Sequence, residues 1–156
     1  MGLLVHVLHV VLAGVWLGGL VFTTFVVSPA LKAMRWSESE RVAVRSEIGG
    51  YYSRLAIPNL AALLVFAVLD GVFSGFGAAL YVELVLILAL FGLSAAHGAY
   101  FGRRMRRLAE AERGAGKDEA RLLGRERKYL QRLSLRLSGL NLLLSGAVAI
   151  LAVLAG

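Results

Sequence analysis

Five His, Asp and Glu residues interrupt the long apolar runs of this chain: His6, His9, Asp70, Glu83 and His97. Imidazole and carboxylate together are the nitrogen and oxygen donors that hold copper, zinc, iron or manganese. The 156 residues include no cysteine, which excludes disulfides, thiolate metal sites and iron–sulfur clusters. Ionisable groups are costly in an apolar phase and mark ion, proton or cofactor sites when they are kept there. A hydrogen-bonded structural or proton-handling network is the other use of the same residues.

The surrounding runs have the composition of a membrane protein. The chain is 58% hydrophobic, with a mean hydropathy of +0.73, and is long enough for about four spans. All 17 Lys and Arg residues lie in two stretches, Lys32 to Arg54 and Arg103 to Arg136. Basic loops stay on the cytoplasmic side of a bilayer, so the pattern predicts a multi-pass protein of the inner (cytoplasmic) membrane with both termini outside. The net charge of +7 is then a matter of orientation and of anionic membrane lipid rather than nucleic acid. The start of the chain has no basic segment before its apolar run, which reads as a retained first span and not a cleaved signal.

The expected architecture is all-α: an integral membrane four-helix bundle, one transmembrane domain over 1–156, with cytoplasmic helical extensions. Spans are expected at about 3–27, 55–73, 79–101 and 137–155, and cytoplasmic segments at about 30–54 and 102–136. Ser28-Pro29 closes the first span, because the residue before proline resists helical geometry. Ser37-Glu38-Ser39-Glu40 has the form of a capping box and opens a short interfacial helix that Gly49-Gly50 ends. Pro58 falls in the first turn of span two. The glycine-rich turn at 74–77 makes spans two and three a hairpin, and Gly114-Ala115-Gly116 divides the charged segment. From Asp118 the helical pattern runs on into span four, giving one helix of nearly 40 residues.

A helical rise of about 1.5 Å per residue places His6, His9, Asp70 and Glu83 at one level near the outer surface. Three residues separate His6 from His9, so both point the same way. Asn59 with Asp70, Glu83 with Ser94 and His97, and Ser138 with Asn141 and Ser145 form polar stripes that turn inward, because lipid offers them no partners. A second, inner level holds Asn59, His97, Ser138 and Asn141. The outer four could be the direct ligands of a metal ion, or Asp70 and Glu83 could orient the histidines. Gly14 and Gly18 form a small-residue face open to a neighbouring helix or a flat cofactor.

The segment from His9 through Trp16 to Leu20, with Gly18-Gly19 inside it, resembles the first span of two related groups of small bacterial membrane proteins. One is the copper-resistance protein D-like family, and the other the J-type membrane protoporphyrinogen oxidase. Phe25-Val-Val-Ser-Pro29-Ala, Gly50-Tyr51-Tyr52, and Leu133-Ser134 with Asn141 look most like a four-helix branch of the copper-resistance group. The resemblance implies haem b with His9 as axial ligand, and His6, Trp16, Gly14, Gly18 and His97 about the cofactor. It also implies a redox or electron-transfer role with an electron donor or acceptor as partner, possible haem-dependent oxidoreductase activity, and copper as a further bound ion. The Gly14 and Gly18 face and the thinness of a four-helix bundle, which gives a large flat ring little wall, point to a homo-oligomer. The alternative is copper or zinc binding or transport without haem, and a third reading is a structural subunit.

Overall fold

The computed structural model describes residues 1–36 and 38–154, and for 38, 39, 42, 46, 97–99, 109, 113 and 117 the backbone alone. Ser37, expected to cap the following helix, lies outside the described residues. The chain is all-α. Helix α1 spans Gly2–Phe22, α2 Ser28–Ala33, α3 Glu38–Ser74, α4 Ala78–Ala95, α5 Arg103–Gly114 and α6 Lys117–Leu154. π-helical turns at Thr23–Val27 and Ala96–Gly102 join α1 to α2 and α4 to α5. Among the described residues, four of these stretches are long and apolar enough to cross a membrane: 2–33, 43–74, 78–112 and 118–154. This is a multi-pass membrane protein.

Two expected helix boundaries are corrected. The first helix does not stop at Ser28-Pro29 but passes through it into α2. Proline removes an amide and crowds the carbonyl four residues back; the wider π turn just upstream relieves both. The Thr23 hydroxyl helps there by donating to the carbonyls of Gly19 at 2.9 Å and Leu20 at 3.1 Å. Second, Gly49-Gly50 does not end a short helix, because α3 runs unbroken from Glu38 through both glycines and Pro58 to Ser74. Each glycine costs about 1 kcal/mol of helix propensity, which the cooperative propagation of a 37-residue helix absorbs. Helix also runs on from α4 through the π turn into α5. The glycine break at 114–116 and the 38-residue last helix agree with the sequence.

Contacts divide the chain into two units, 1–88 with 144–156, and 89–143. In the first, α1, α3, the start of α4 and the end of α6 bury residues at alternating spacings of three and four. These are His9, Ala13 and Trp16; Leu60, Leu63, Ala67 and Asp70; Leu80, Glu83 and Ile87; and Ser145, Val148 and Ala152. That is the inward stripe of packed helices. Val11, Val15, Val65, Val85 and Ile150 are exposed on the outside, an apolar surface suited to lipid. α1 and α3 approach closely at Gly19, where an added Cβ would lie 2.9 Å from the Tyr52 ring. α3 and α4 are joined by only residues 75–77, with Gly75 at φ +96°, a conformation that penalises any Cβ.

The second unit contains a helical hairpin of α5 and the charged half of α6. Phe101, Leu108 and Leu130 are buried there, with Met105, Leu123, Leu133 and Leu137 packed against them. Arg104 pairs with Glu126, and Arg127 with Glu112 at 2.9 Å.

Candidate metal centre

Four side chains from three helices of the first unit meet at one level. His6 and His9 come from α1, Asp70 from the last turns of α3, and Glu83 from the second turn of α4. His9, Asp70 and Glu83 are 0, 1 and 0% exposed, while the His6 side chain is 22% exposed at the edge of the group. The short hairpin places the two carboxyls on adjacent arms. Those arms pack tightly one residue past Asp70, where a Cβ on Gly71 would come 2.6 Å from Leu80 and from the Phe76 ring.

Asp70 is the centre of the arrangement. Its Oδ2 is 2.8 Å from His6 Nδ1 and 3.2 Å from His9 Nδ1, so an ionised Asp70 accepts an N–H from each ring. Ser74, one turn along α3, donates its hydroxyl to Oδ1 at 3.3 Å. On the far side of the His9 ring, Nε2 is 2.8 Å from Glu83 Oε1. The four residues thus form a chain of alternating base and acid, His6, Asp70, His9, Glu83, from the edge of the unit to its interior. Glu83 Oε2 is buried with no hydrogen-bond partner among the described residues. Removing a carboxylate from water costs several kcal/mol before any pairing is counted, so α1 and the hairpin are held in register by the satisfaction of these groups.

The ligand atoms of His6, His9 and Asp70 all lie within 4.8 Å of one another. A metal ion bound there would take the place of protons on the two Nδ1 atoms. Glu83 faces the opposite ring nitrogen, where it would accept the remaining N–H of a ligating His9. A carboxylate in that place fixes the ring's tautomer and raises its basicity.

The other expected site residues lie apart from this group. Trp16, on the same stripe of α1 as His9, is buried and donates its indole N–H to Ser145 Oγ on α6 at 2.8 Å. Asn59 donates to the Leu12 carbonyl at 3.2 Å, stitching α3 to α1. Ser138 donates to the Ser134 carbonyl of its own helix at 3.0 Å. Gly14 and Gly18 are five and nine residues from His9 along α1, and at about 100° per residue both turn well away from its ring; a Cβ on either would meet nothing within 4 Å. The side chain of His97 lies outside the described residues. Sequence reasoning missed Ser74 and the Trp16–Ser145 pair. Ser74 was signalled, since it follows Asp70 by one turn; a buried indole N–H needs an acceptor, but nothing local points to Ser145.

Residues 11–114, or 104 of the 156 positions, match a family model described as Domain of unknown function (DUF4149). The chain belongs to the DUF4149 family. The DUF4149 match contains Trp16, Asp70 and Glu83, begins just after His6 and His9, and ends before α6. No curated protein and no solved structure matches the chain.

Proposed function

We propose that this DUF4149 protein is a membrane-embedded metal-ion-binding protein. His6, His9 and Asp70 hold a divalent transition metal, zinc or copper(II), and Glu83 orients His9 from behind. The observation that carries the reading is the convergence of three nitrogen and oxygen donors within 4.8 Å at a buried level. Two imidazoles and a carboxylate suit both metals, and three protein ligands leave a position open for water or an exchanging ligand. The ion would supply Lewis acidity or, as copper, a redox couple; the chain's own part is to bind it, orient it and keep lipid from it.

Haem b on His9, which the resemblance to the copper-resistance and oxidase groups implies, does not fit this arrangement. An axial histidine turns one ring nitrogen to the iron at the centre of a flat macrocycle. Here both nitrogens of His9 face carboxyl oxygens, at 3.2 and 2.8 Å, and the Gly14 and Gly18 face that was to admit the ring is on the other side of α1.

The test is metal analysis of protein purified in detergent, followed by cobalt(II) and zinc titration of chelator-treated protein. About one ion per chain is expected, with binding lost in His9→Ala and Asp70→Asn. Substoichiometric metal that neither substitution changes overturns the reading. A Soret band that His9→Ala abolishes would restore haem in its place.

The distribution of basic residues supports placement in the inner membrane with both termini outside, so cysteines at Ser39 and Ala115 should resist labelling from outside intact cells. An open apolar groove of about 420 Å³ along Leu17, Gly146, Ala149, Ile150 and Val153 supports self-association within the membrane. Cysteine at Ala149 should then cross-link two chains.

A further inference from the structure

The charged half of α6 carries an outward ridge that the metal reading does not use. Arg121, Arg125, Lys128, Arg132 and Arg136 follow one another at spacings of four, three, four and four residues. At about 100° per residue this keeps all five within an arc of about 80° on one face of the helix. All five are exposed. The carboxylates nearby are turned elsewhere: Glu126 and Glu112 pair with Arg104 and Arg127 across the hairpin. Asp118 and Glu119 occupy the first turn of α6, where the helix dipole favours them. Among the described residues, no ion pair reaches the ridge.

Its length and position decide what it can meet. α6 has 38 residues and is about 57 Å long, against about 30 Å of hydrocarbon in a bilayer. Its apolar part, from Leu137 to Leu154, accounts for about 27 Å, so the ridge lies along the part that projects into water. Lipid headgroups can reach Arg136 and Arg132 but not Arg125 and Arg121, about 17 to 22 Å further along the axis. A second copy of this chain would present the same positive face and be repelled. Beside the basic residues, Leu122 and Tyr129 stand seven residues apart on adjoining positions and are 65 and 66% exposed. An apolar pair at heptad spacing bordered by a row of like charges is half of a helix–helix interface.

We infer that this ridge docks a partner protein through an acidic amphipathic helix, whose Glu and Asp residues face the five basic residues while its apolar seam covers Leu122 and Tyr129. Flanking charges of this kind choose the partner and its orientation.

The inference is tested with the full chain in nanodiscs of zwitterionic lipid. The probe is a fluorescein-labelled synthetic helix with Leu at every a and d position and Glu at every e and g position, kept from pairing with itself by its own charge. Saturable binding by anisotropy is expected. The triple substitution Arg121→Glu, Arg125→Glu and Lys128→Glu should weaken it at least about 100-fold, and Leu122→Ser with Tyr129→Ser about 10-fold. The same three positions changed to Gln keep helix propensity and should still lose about 10-fold, with helicity checked by circular dichroism. Absence of saturable binding overturns the inference. So does binding that ignores Leu122 and Tyr129 and is displaced equally by duplex DNA, since that would make the ridge a general polyanion surface.

Discussion

His9 is fully buried with its Nε2 2.8 Å from Glu83, whereas Arg127, 2.9 Å from Glu112, has a side chain 17% exposed beside one 30% exposed. The two contacts are nearly equal in length. At the hairpin surface, water screens both charges whether or not they touch, and such pairs contribute about 0 to 1 kcal/mol. In the first unit each partner has left water, so the net value of the contact is small while the cost of removing one partner is large. Distance alone therefore says little about what an acid–base contact does. Burial marks the His and carboxylate level as the place where losing one partner costs most.

The comparison is sharpest at His9. His9→Leu leaves Asp70 with a weaker set of donors and Glu83 with none from the ring, and should cost about 3 to 5 kcal/mol, seen as a large fall in thermal midpoint of the detergent-purified protein. A midpoint unchanged within error would put the buried contacts on the same footing as the surface ones. Next in size, Glu83→Gln should fold and insert normally but lower zinc or cobalt affinity about 10- to 100-fold, since the amide keeps the shape and loses the charge. Isothermal titration would show this, and unchanged affinity would detach Glu83 from the site. Trp16→Phe keeps most of the apolar volume and gives up the hydrogen bond to Ser145. A loss of about 1 kcal/mol in stability without loss of metal is expected, and simultaneous metal loss would join Trp16 to the centre. The smallest change is Glu112→Gln on the hairpin, expected to shift stability by less than about 1 kcal/mol and to fade in high salt.

Much of the site was legible because its signals are local or depend on depth alone. His6 and His9 share a face by their spacing, and Asp70 and Glu83 fall at the same level once the glycine turn fixes the ends of two spans. Depth does not give side: it could not show that Glu83 meets the far nitrogen of His9 instead of joining Asp70, because that depends on how the arms of the hairpin rotate against α1. The helix limits at Ser28-Pro29 and Gly49-Gly50 were misread for a different reason. Both are strong stop signals in isolation; at Ser28-Pro29 the ladder continues through a π turn, because backbone groups along a membrane helix have fewer alternatives, and at Gly49-Gly50 the long α3 carries it through the glycines by cooperative propagation. The Trp16–Ser145 pair joins residues 129 apart, and no periodicity in either helix identifies the other.

The turn at Gly75 also bears on the order in which the molecule comes together. α1 is synthesised first and brings two imidazoles into the bilayer without an acid; α3 and α4 follow as a pair linked by three residues, bringing two carboxyls without a base. In lipid no hydrophobic force drives one apolar helix onto another, and polar groups and close packing must do so. The hairpin is accordingly a receptor and α1 its ligand, recognised by what each lacks in isolation. A copy of α1 without its histidines would still insert, but it would have to find its place through the Asn59, Gly19 and Trp16 contacts alone.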